Sequence, residues 1–176
     1  TWSVTDNNTP PVTITQDILI MDTKAPVWQA AAPATLTVST PAVSTVCEAA
    51  VTLQALNSWV LDSCVGFANL TFQNSIVGPG VVYSAGCGPT NACASGTYKV
   101  GTHTVTFTAT DPCGNSAQHT VTVVVKDATP PTAVCINGIS IALNLNGQAI
   151  VTPVLLNNNS HDNCAPPFTL SYQVQE

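Results

Sequence analysis

The chain repeats itself at an interval of about one hundred residues, and this repetition constrains the fold more than any other feature of the sequence. In one register the interval is 105 residues, and the matched landmarks are Asp6 with Asp111, Asp22 with Asp127, and Pro26 with Pro131. In a second register the interval is 100 residues, and the matched landmarks are Val51 with Val151, Asp62 with Asp162, and Cys64 with Cys164. Because solenoid repeats are about 20 to 50 residues long, this interval predicts one whole small domain per repeat.

The phase of the repeat divides the 176 residues into three parts. Residues 1–22 are predicted to be the C-terminal strands of a preceding repeat, residues 23–127 a complete repeat, and residues 128–176 the N-terminal part of a following repeat. One short length change, between residues 38 and 51, separates the two registers. We therefore expect the functional object to be an array of domains, extended along the polypeptide or completed by another copy.

The composition is that of a folded chain rich in β-structure. Only 7% of the residues are charged and 45% are hydrophobic, whereas disordered chains show high charge and low hydrophobicity. Three lysines and no arginine stand against nine acidic residues, for a net charge of −6. Nucleic acid and anionic membranes are therefore disfavoured as partners, because both are negatively charged. No run of 18 apolar residues is present, so we expect no direct membrane insertion in this segment.

Seven cysteines occur without a CxxC pair or a Cys/His zinc pattern. In so small and charge-poor a chain they predict disulfides and an oxidising compartment. We expect an extracellular or cell-surface protein, with any export signal and anchor outside this sequence.

Strands are predicted wherever apolar and polar residues alternate between turn residues. Residues 104–110 and 120–125 predict a hairpin around the turn 111–115, and the further predicted strands are residues 34–40, 49–53, 67–72 and 81–83. No segment shows helical periodicity. Several short strands in about 105 residues are typical of an immunoglobulin-like β-sandwich. The short, proline-containing segments 22–26 and 127–131 predict stiff joints, and hence a rod of tandem repeats.

The sequence also resembles a known class of modules. Residues 62–64, 101–115 and 123–131 resemble the HYR (hyalin-repeat) family of immunoglobulin-like modules. Residues 127–135, 142–150 and 160–164 look like repeats of large bacterial surface adhesins of the Bacteroidetes, including the gliding-motility class exported by type IX secretion. The long segment 78–98 and residues 7–10, which replace the turn at 113–115, depart from the pattern, so individual repeats are not interchangeable.

Three aspartates are expected to meet where one repeat joins the next. In an immunoglobulin-type sandwich the B–C and F–G loops lie at the pole where strand A enters. Asp62, Asp111 and Asp22 would converge there and suit a structural Ca²⁺, as in cadherin-like rods. Asp127 and Asp162 would begin an equivalent site at the next joint. The alternative is that each aspartate caps its own turn through hydrogen bonds to the backbone.

Two disulfides are expected in the complete repeat. Cys64 and Cys113 would lie at the same pole and are predicted to pair, and Cys87 and Cys93 are close enough in sequence to staple their loop. Cys47, Cys135 and Cys164 stay unassigned, and we expect Cys164 to pair beyond Glu176. A free catalytic thiol would lack an evident activating group.

No catalytic signature accompanies the titratable residues. His103, His119 and Asp111 lack the sequence context of a hydrolase triad, and both histidines are expected on the threonine-rich, solvated face of their strands. Trp28 and Trp59 are the candidate ligand-binding residues, since loop aromatics stack on sugars, but they could instead pack the joint.

The expected protein is a non-catalytic segment of a large surface protein that acts as an adhesin or rigid stalk. Its expected partners are neighbouring repeats of the same polypeptide, surface polysaccharide or other cell-surface proteins. One alternative is a self-assembling extracellular filament completed by strand donation. Another is a carbohydrate-binding module attached to a secreted enzyme.

Overall fold

The structure, a computed structural model, describes residues 2–4, 12–42, 45–164 and 169–173. Within these ranges the protein is nearly all β-structure, as the sequence predicts. Its strands are β1 (Trp2–Val4), β2 (Val12–Ile14), β3 (Val27–Trp28), β4 (Thr35–Ser39), β5 (Glu48–Val51), β6 (Val60–Leu61), β7 (Thr71–Val77), β8 (Val81–Tyr83), β9 (Gly96–Lys99), β10 (Gly101–Thr110) and β11 (Ser116–Lys126). Helical structure in the described residues is limited to a 3-10 turn at Phe67–Asn69 and one α-helical turn, α1, at Pro153–Leu156.

Four strands form the largest sheet, in the order β4-β11-β10-β7. Strands β10 and β11 are the predicted hairpin, antiparallel with Phe107 opposite His119. Strand β7 pairs antiparallel with the other edge of β10, and β4 runs parallel to β11. Val105 and Ala109 are fully buried with Phe107, because alternate residues of a strand point to the same face.

A second sheet has three strands in the order β5-β9-β8. Its side chains Ala49, Val51 and Tyr98 belong to the same buried cluster as the apolar residues of β10 and β11. Two sheets that share one apolar core are consistent with a β-sandwich. The complete repeat predicted at residues 23–127 contains both of these sheets.

The strands differ from the sequence prediction at several places, and the two-residue strands β3 and β6 also lie outside the predicted ones. Residues 67–69 form the 3-10 turn, and β7 begins only at Thr71. Strand β9 was not predicted, because a four-residue strand whose only large apolar side chain is Tyr98 carries no alternating pattern. Gly96 fits β9 because the neighbouring strand is so close that a Cβ atom there would collide with the carbonyl oxygen of Val82.

The cysteine-rich segment forms a loop between β8 and β9. Cys87 and Cys93 form the expected local disulfide. Asn74, which is buried on β7, holds the loop to the sheet through its side-chain amide. The amide donates to three backbone carbonyls, those of Gly88 (2.7 Å), Asn91 (2.9 Å) and Cys93 (3.3 Å).

The backbone pairing itself repeats along the chain. In the hairpin β1–β2, Trp2 pairs with Ile14, and 105 residues later Phe107 pairs with His119 in β10–β11. Val27 pairs with Leu61 in β3–β6, and the isolated bridge between Thr132 and His161 joins the counterparts of these residues at the intervals 105 and 100. The repeated landmarks therefore mark repeated local structure. The turn between β1 and β2, with Asp6 and residues 7–10, lies outside the described residues.

The expectation that both histidines are solvated was wrong. His103 is fully buried, and its ring packs edge-on against Tyr98 at 4.9 Å between centroids. Position 103 has the same parity as the buried Val105, so it faces the core, and its Nε2 lies 2.8 Å from the carbonyl of Lys99. His119 is partly buried, with Nε2 3.0 Å from the carbonyl of Pro33.

Two disulfides, Cys47–Cys164 and Cys87–Cys93, indicate an oxidising environment. In the part of the chain that the structure describes, no helix has the length and apolar character needed to cross a membrane.

Candidate functional site at the two joints

Asp22, Asp62 and Cys64 form a cluster that we term the first joint. Antiparallel pairing of β3 with β6 puts the residues before β3 beside those after β6, so Asp22 and Asp62 meet. One ligand atom of each of the three residues lies within 4.8 Å of the others. Each carboxylate also closes a local turn, since Oδ1 of Asp22 accepts from the backbone N–H of Lys24 (2.9 Å) and Oδ1 of Asp62 from that of Cys64 (2.8 Å). The turn-capping alternative thus describes one oxygen of each carboxylate.

The second oxygen of each carboxylate, Oδ2, takes no part in these turns. Oδ2 of Asp22 and Oδ2 of Asp62 are both inaccessible to solvent and have no hydrogen-bond partner among the described residues. A buried, unpaired carboxylate oxygen is costly because it has lost its hydration without compensation. The two carboxylates approach within 4.8 Å through one oxygen each, and carboxylates so placed fit part of the coordination shell of Ca²⁺, which takes about 6 to 8 oxygen ligands.

Asp111 does not belong to this cluster. It is 4% exposed, and Asn115 occupies both of its oxygens, donating from the backbone N–H to Oδ1 (2.9 Å) and from the side-chain amide to Oδ2 (2.8 Å). The Asn115 side chain is the main reason that the pKa of Asp111 is lowered. Asn115 also donates to the carbonyl of Asp22 (3.1 Å), so Asp111 supports the first joint indirectly. The expected meeting of three carboxylates is corrected to a meeting of two.

Cys64 and Cys113 do not form the predicted disulfide. Both thiols are free and exposed. The turn 111–115 is closed by its own hydrogen bonds, including Gly114 N–H to the carbonyl of Asp111 (3.1 Å), and this leaves Cys113 in solvent. Cys64 lies instead beside the aspartates of the first joint, and the neighbouring Asp22 carboxylate raises the pKa of its thiol.

Asp127, Asp162 and Cys164 form an equivalent cluster, which we term the second joint. Its hydrogen bonds repeat those of the first joint: Oδ1 of Asp127 accepts from the N–H of Thr129 (2.9 Å), and Oδ1 of Asp162 from that of Cys164 (2.8 Å). The sulfur of Cys164 is in a disulfide and is therefore unsuited to bind a metal. Oδ1 of Asp127 also accepts from the hydroxyl of Thr40 (3.1 Å). The Thr40 hydroxyl therefore ties Asp127 of the second joint to the end of β4.

A disulfide and several hydrogen bonds cross the second joint. Cys47 is bonded to Cys164, with their Cα atoms 4.9 Å apart and a sequence separation of 117. Sequence reasoning left both cysteines unassigned and expected Cys164 to pair beyond the chain, which is corrected here. Connectivity cannot be deduced from spacing alone, and the repeat offered no guide because position 47 has no cysteine counterpart at 147 or 152. The hydrogen bonds that cross are Ala128 N–H to the Thr40 hydroxyl (2.9 Å), Thr129 hydroxyl to the Pro41 carbonyl (3.2 Å) and Asn163 amide to the Val46 carbonyl (3.4 Å).

Trp28 and Trp59 both pack against the shared apolar core of the two sheets. The Trp28 ring stacks on His119, with 5.2 Å between centroids and 25° between planes. Each tryptophan is partly buried, so neither offers a fully exposed ring for stacking on a sugar.

No protein-family model matches this chain, and a search of curated proteins also found no match.

Proposed function

We propose that this chain is a non-catalytic segment of an extracellular or cell-surface repeat protein that acts as a rigid stalk or adhesin. The second joint carries the proposal, because a disulfide ties the Cys47 loop to the Cys164 loop across the boundary predicted between two repeats. A stalk must resist bending at its junctions, and a covalent bond across the joint would supply that resistance.

The second joint combines several sources of stiffness. Strand β11 ends at Lys126, and Asp127 follows directly, so little free chain separates the core from the joint. On the loop-entropy model, a disulfide that closes a loop of more than one hundred residues contributes on the order of 5 kcal/mol. Pro130 and Pro131 restrict the backbone just after Asp127.

The resemblance to HYR modules and to adhesins of the gliding-motility class supports a role in surface adhesion or motility, with export through type IX secretion. Surface polysaccharide or other surface proteins would be the distal partners. Many weak sites along a rod act together through avidity, so a single repeat need not bind tightly.

Small-angle X-ray scattering tests the mechanical part of the proposal. The natural chain should give an elongated particle with a narrow distribution of maximum dimension, and Cys47→Ser should broaden that distribution. Cys113→Ser removes an exposed free thiol and is the matched control. Identical profiles for the natural chain and Cys47→Ser would contradict a stiff disulfide joint. Antibody labelling of intact cells that produce the protein tests the location, and labelling only after lysis would contradict a surface role.

Self-assembly by strand donation is a second candidate, favoured by one observation. Ile18, Leu19 and Ile20 are 80%, 82% and 90% exposed, yet their counterparts Val123–Val125 lie in β11 and pair with β4. A β4-like strand from the same polypeptide or from another copy would cover them. Light scattering after size exclusion separates the two sources, because growth of the particle with concentration would indicate donation between copies.

A further inference from the structure

Cys64 and Cys164 are counterparts at the interval of 100 residues, but their sulfur atoms differ in bonding. Cys164 is bonded to Cys47, whereas Cys64 is free and exposed. The difference lies in what packs on each joint. The loop that carries Cys47 lies against the second joint, and residues 1–22, which precede the first joint, contain no cysteine.

The surroundings of the two sulfur atoms match in three independent respects. Each belongs to a cluster with two aspartates, one before the β3-like segment and one two residues before the cysteine. Each cysteine N–H donates to its preceding aspartate at 2.8 Å. The strand pairing beside each cluster is also the same, with Val27 opposite Leu61 at the first joint and Thr132 opposite His161 at the second. A loop that bonds to Cys164 therefore has an equivalent place beside Cys64.

We propose that Cys64 forms a disulfide with a cysteine of a preceding repeat, placed in that repeat as Cys47 is placed in the complete repeat. The proposal rests on the proposed function, since it requires an array. A small disulfide such as glutathione disulfide is a sufficient oxidant. One protein thiolate attacks it and releases one glutathione, and the second protein thiolate then attacks the mixed disulfide and releases the other. Two protein thiols are oxidised, and one glutathione disulfide is reduced to two glutathione molecules.

The proposed disulfide would be present at some joints and absent at others. The following repeat has Gly147 and Thr152 at the two positions that correspond to Cys47, so it does not offer the same cysteine to its own successor. The presence of a cysteine at the Cys47 position of a repeat would thus decide whether the next joint is covalently closed.

A lengthened chain tests the proposal directly. Residues 1–127 followed by residues 23–176 retain the whole natural chain and place one complete repeat before another, because Asp127 and Asp22 are counterparts. After refolding in a glutathione redox buffer, peptide mapping without reduction should find Cys47 of the first copy bonded to Cys64 of the second. Cys47 of the second copy should be bonded to Cys164, and Cys64 of the first copy should react with iodoacetamide. Cys47→Ser in the first copy should return the second Cys64 to the alkylated fraction.

Cys64 of the second copy left free, or bonded to Cys113, would overturn the proposal. Small-angle scattering from the same molecule distinguishes this outcome from a failure of the proposed function. An elongated particle with a free Cys64 would contradict only the proposed disulfide and would leave the stalk function standing. A second measurement uses the natural chain and a synthetic peptide of residues 40–48 activated at Cys47 as a thionitrobenzoate disulfide. The Cys64 thiolate displaces thionitrobenzoate. Although the Asp22 carboxylate raises the pKa of this thiol and so slows the attack, we expect docking of the peptide beside the first joint to make labelling of Cys64 faster than labelling of Cys113 and Cys135. Equal labelling of the three would overturn the proposal.

Discussion

Asn74 shows at the scale of one residue how a polar group can organise a loop. Its amide donates to the carbonyls of the cysteine-rich loop, and its Oδ1 accepts from the hydroxyl of Tyr83 at 2.8 Å. The residue is only 5% exposed, so water does not replace these partners when they are lost. Buried polar groups that keep all their partners hold a structure in a single arrangement.

Asn74→Ala should lower the free energy of unfolding by about 2 to 4 kcal/mol, because it leaves the Tyr83 hydroxyl and several carbonyls without their buried partner. Chemical denaturation of the oxidised protein measures the change. Asn69→Ala is the matched control, since Asn69 is exposed, and should cost no more than about 0.5 kcal/mol. A loss for Asn74→Ala as small as that of the control would show that the loop does not depend on this side chain.

Ionisation of the buried Tyr98 hydroxyl should destabilise the protein at alkaline pH. Removal from solvent, with a smaller effect of Tyr83, raises the pKa of its hydroxyl to about 12, whereas an unfolded tyrosine ionises at about 10. A group whose pKa is raised in the folded state stabilises the fold below the unfolded pKa, and this stabilisation is lost as the pH rises towards the folded pKa. Stability should therefore fall between about pH 10 and pH 12.

Unfolding midpoints across this pH range check the prediction. Tyr98→Phe should reduce the slope, because phenylalanine has no proton to lose. Tyr172→Phe changes a tyrosine that is 44% exposed, and it should leave the slope unchanged. Equal slopes for the natural chain and Tyr98→Phe would contradict the assignment.

Among the elements, the first joint brings together two carboxylates, and the buried Oδ2 atom of each lacks a hydrogen-bond partner among the described residues. We expect Ca²⁺ to stabilise this joint, since a divalent cation would replace the missing partners and relieve the repulsion between Asp22 and Asp62. Free calcium at about ten times the dissociation constant would add about 1.4 kcal/mol to the free energy of unfolding.

Thermal melts with millimolar calcium and with chelator measure this effect. The midpoint should rise with calcium in the natural chain, and Asp62→Asn should abolish the rise. Asp17→Asn removes the same charge from an exposed position and should keep it. An unchanged midpoint in the natural chain would leave the aspartates as turn caps alone.

The elements differ in how well the sequence predicts them, for physical reasons. The hairpin β10–β11 is predictable because Val105, Phe107 and Ala109 alternate with threonines over a long strand. The same alternation places His103 on the buried face with Val105, so assigning it to the threonine-rich face misread the parity of its position. Strand β9 is too short to show a pattern, and its burial depends on the opposite sheet.

The joints could be located from the sequence, but their bonds could not. The repeat brought Asp22 and Asp62 together correctly, because their positions follow from strand order. Which cysteines bond depends on how the Cys47 loop packs against the next repeat, and no local signal encodes that packing.

At the scale of the whole molecule, the parts of the chain differ in how they are held. Residues 23–127 have a shared apolar core, with Phe107, Val121 and Val123 fully buried. In the segment 128–164, by contrast, Leu143, Leu145 and Ile150 are largely exposed. The disulfide to Cys47 and the hydrogen bonds of the second joint must therefore contribute a large share of the order of that segment.

Hydrogen exchange should reveal this difference in Cys47→Ser. We expect amides of residues 128–164, including that of His161, to exchange faster than in the natural chain, because closing a long loop without the disulfide costs conformational entropy. Amides of β10 and β11 should keep their protection, since their ladder and core are untouched. Cys113→Ser, which removes an exposed thiol, is the matched control and should leave both regions unchanged. Faster exchange throughout the chain would mean that the disulfide supports the whole fold, and unchanged exchange in 128–164 would mean that non-covalent contacts alone hold the second joint.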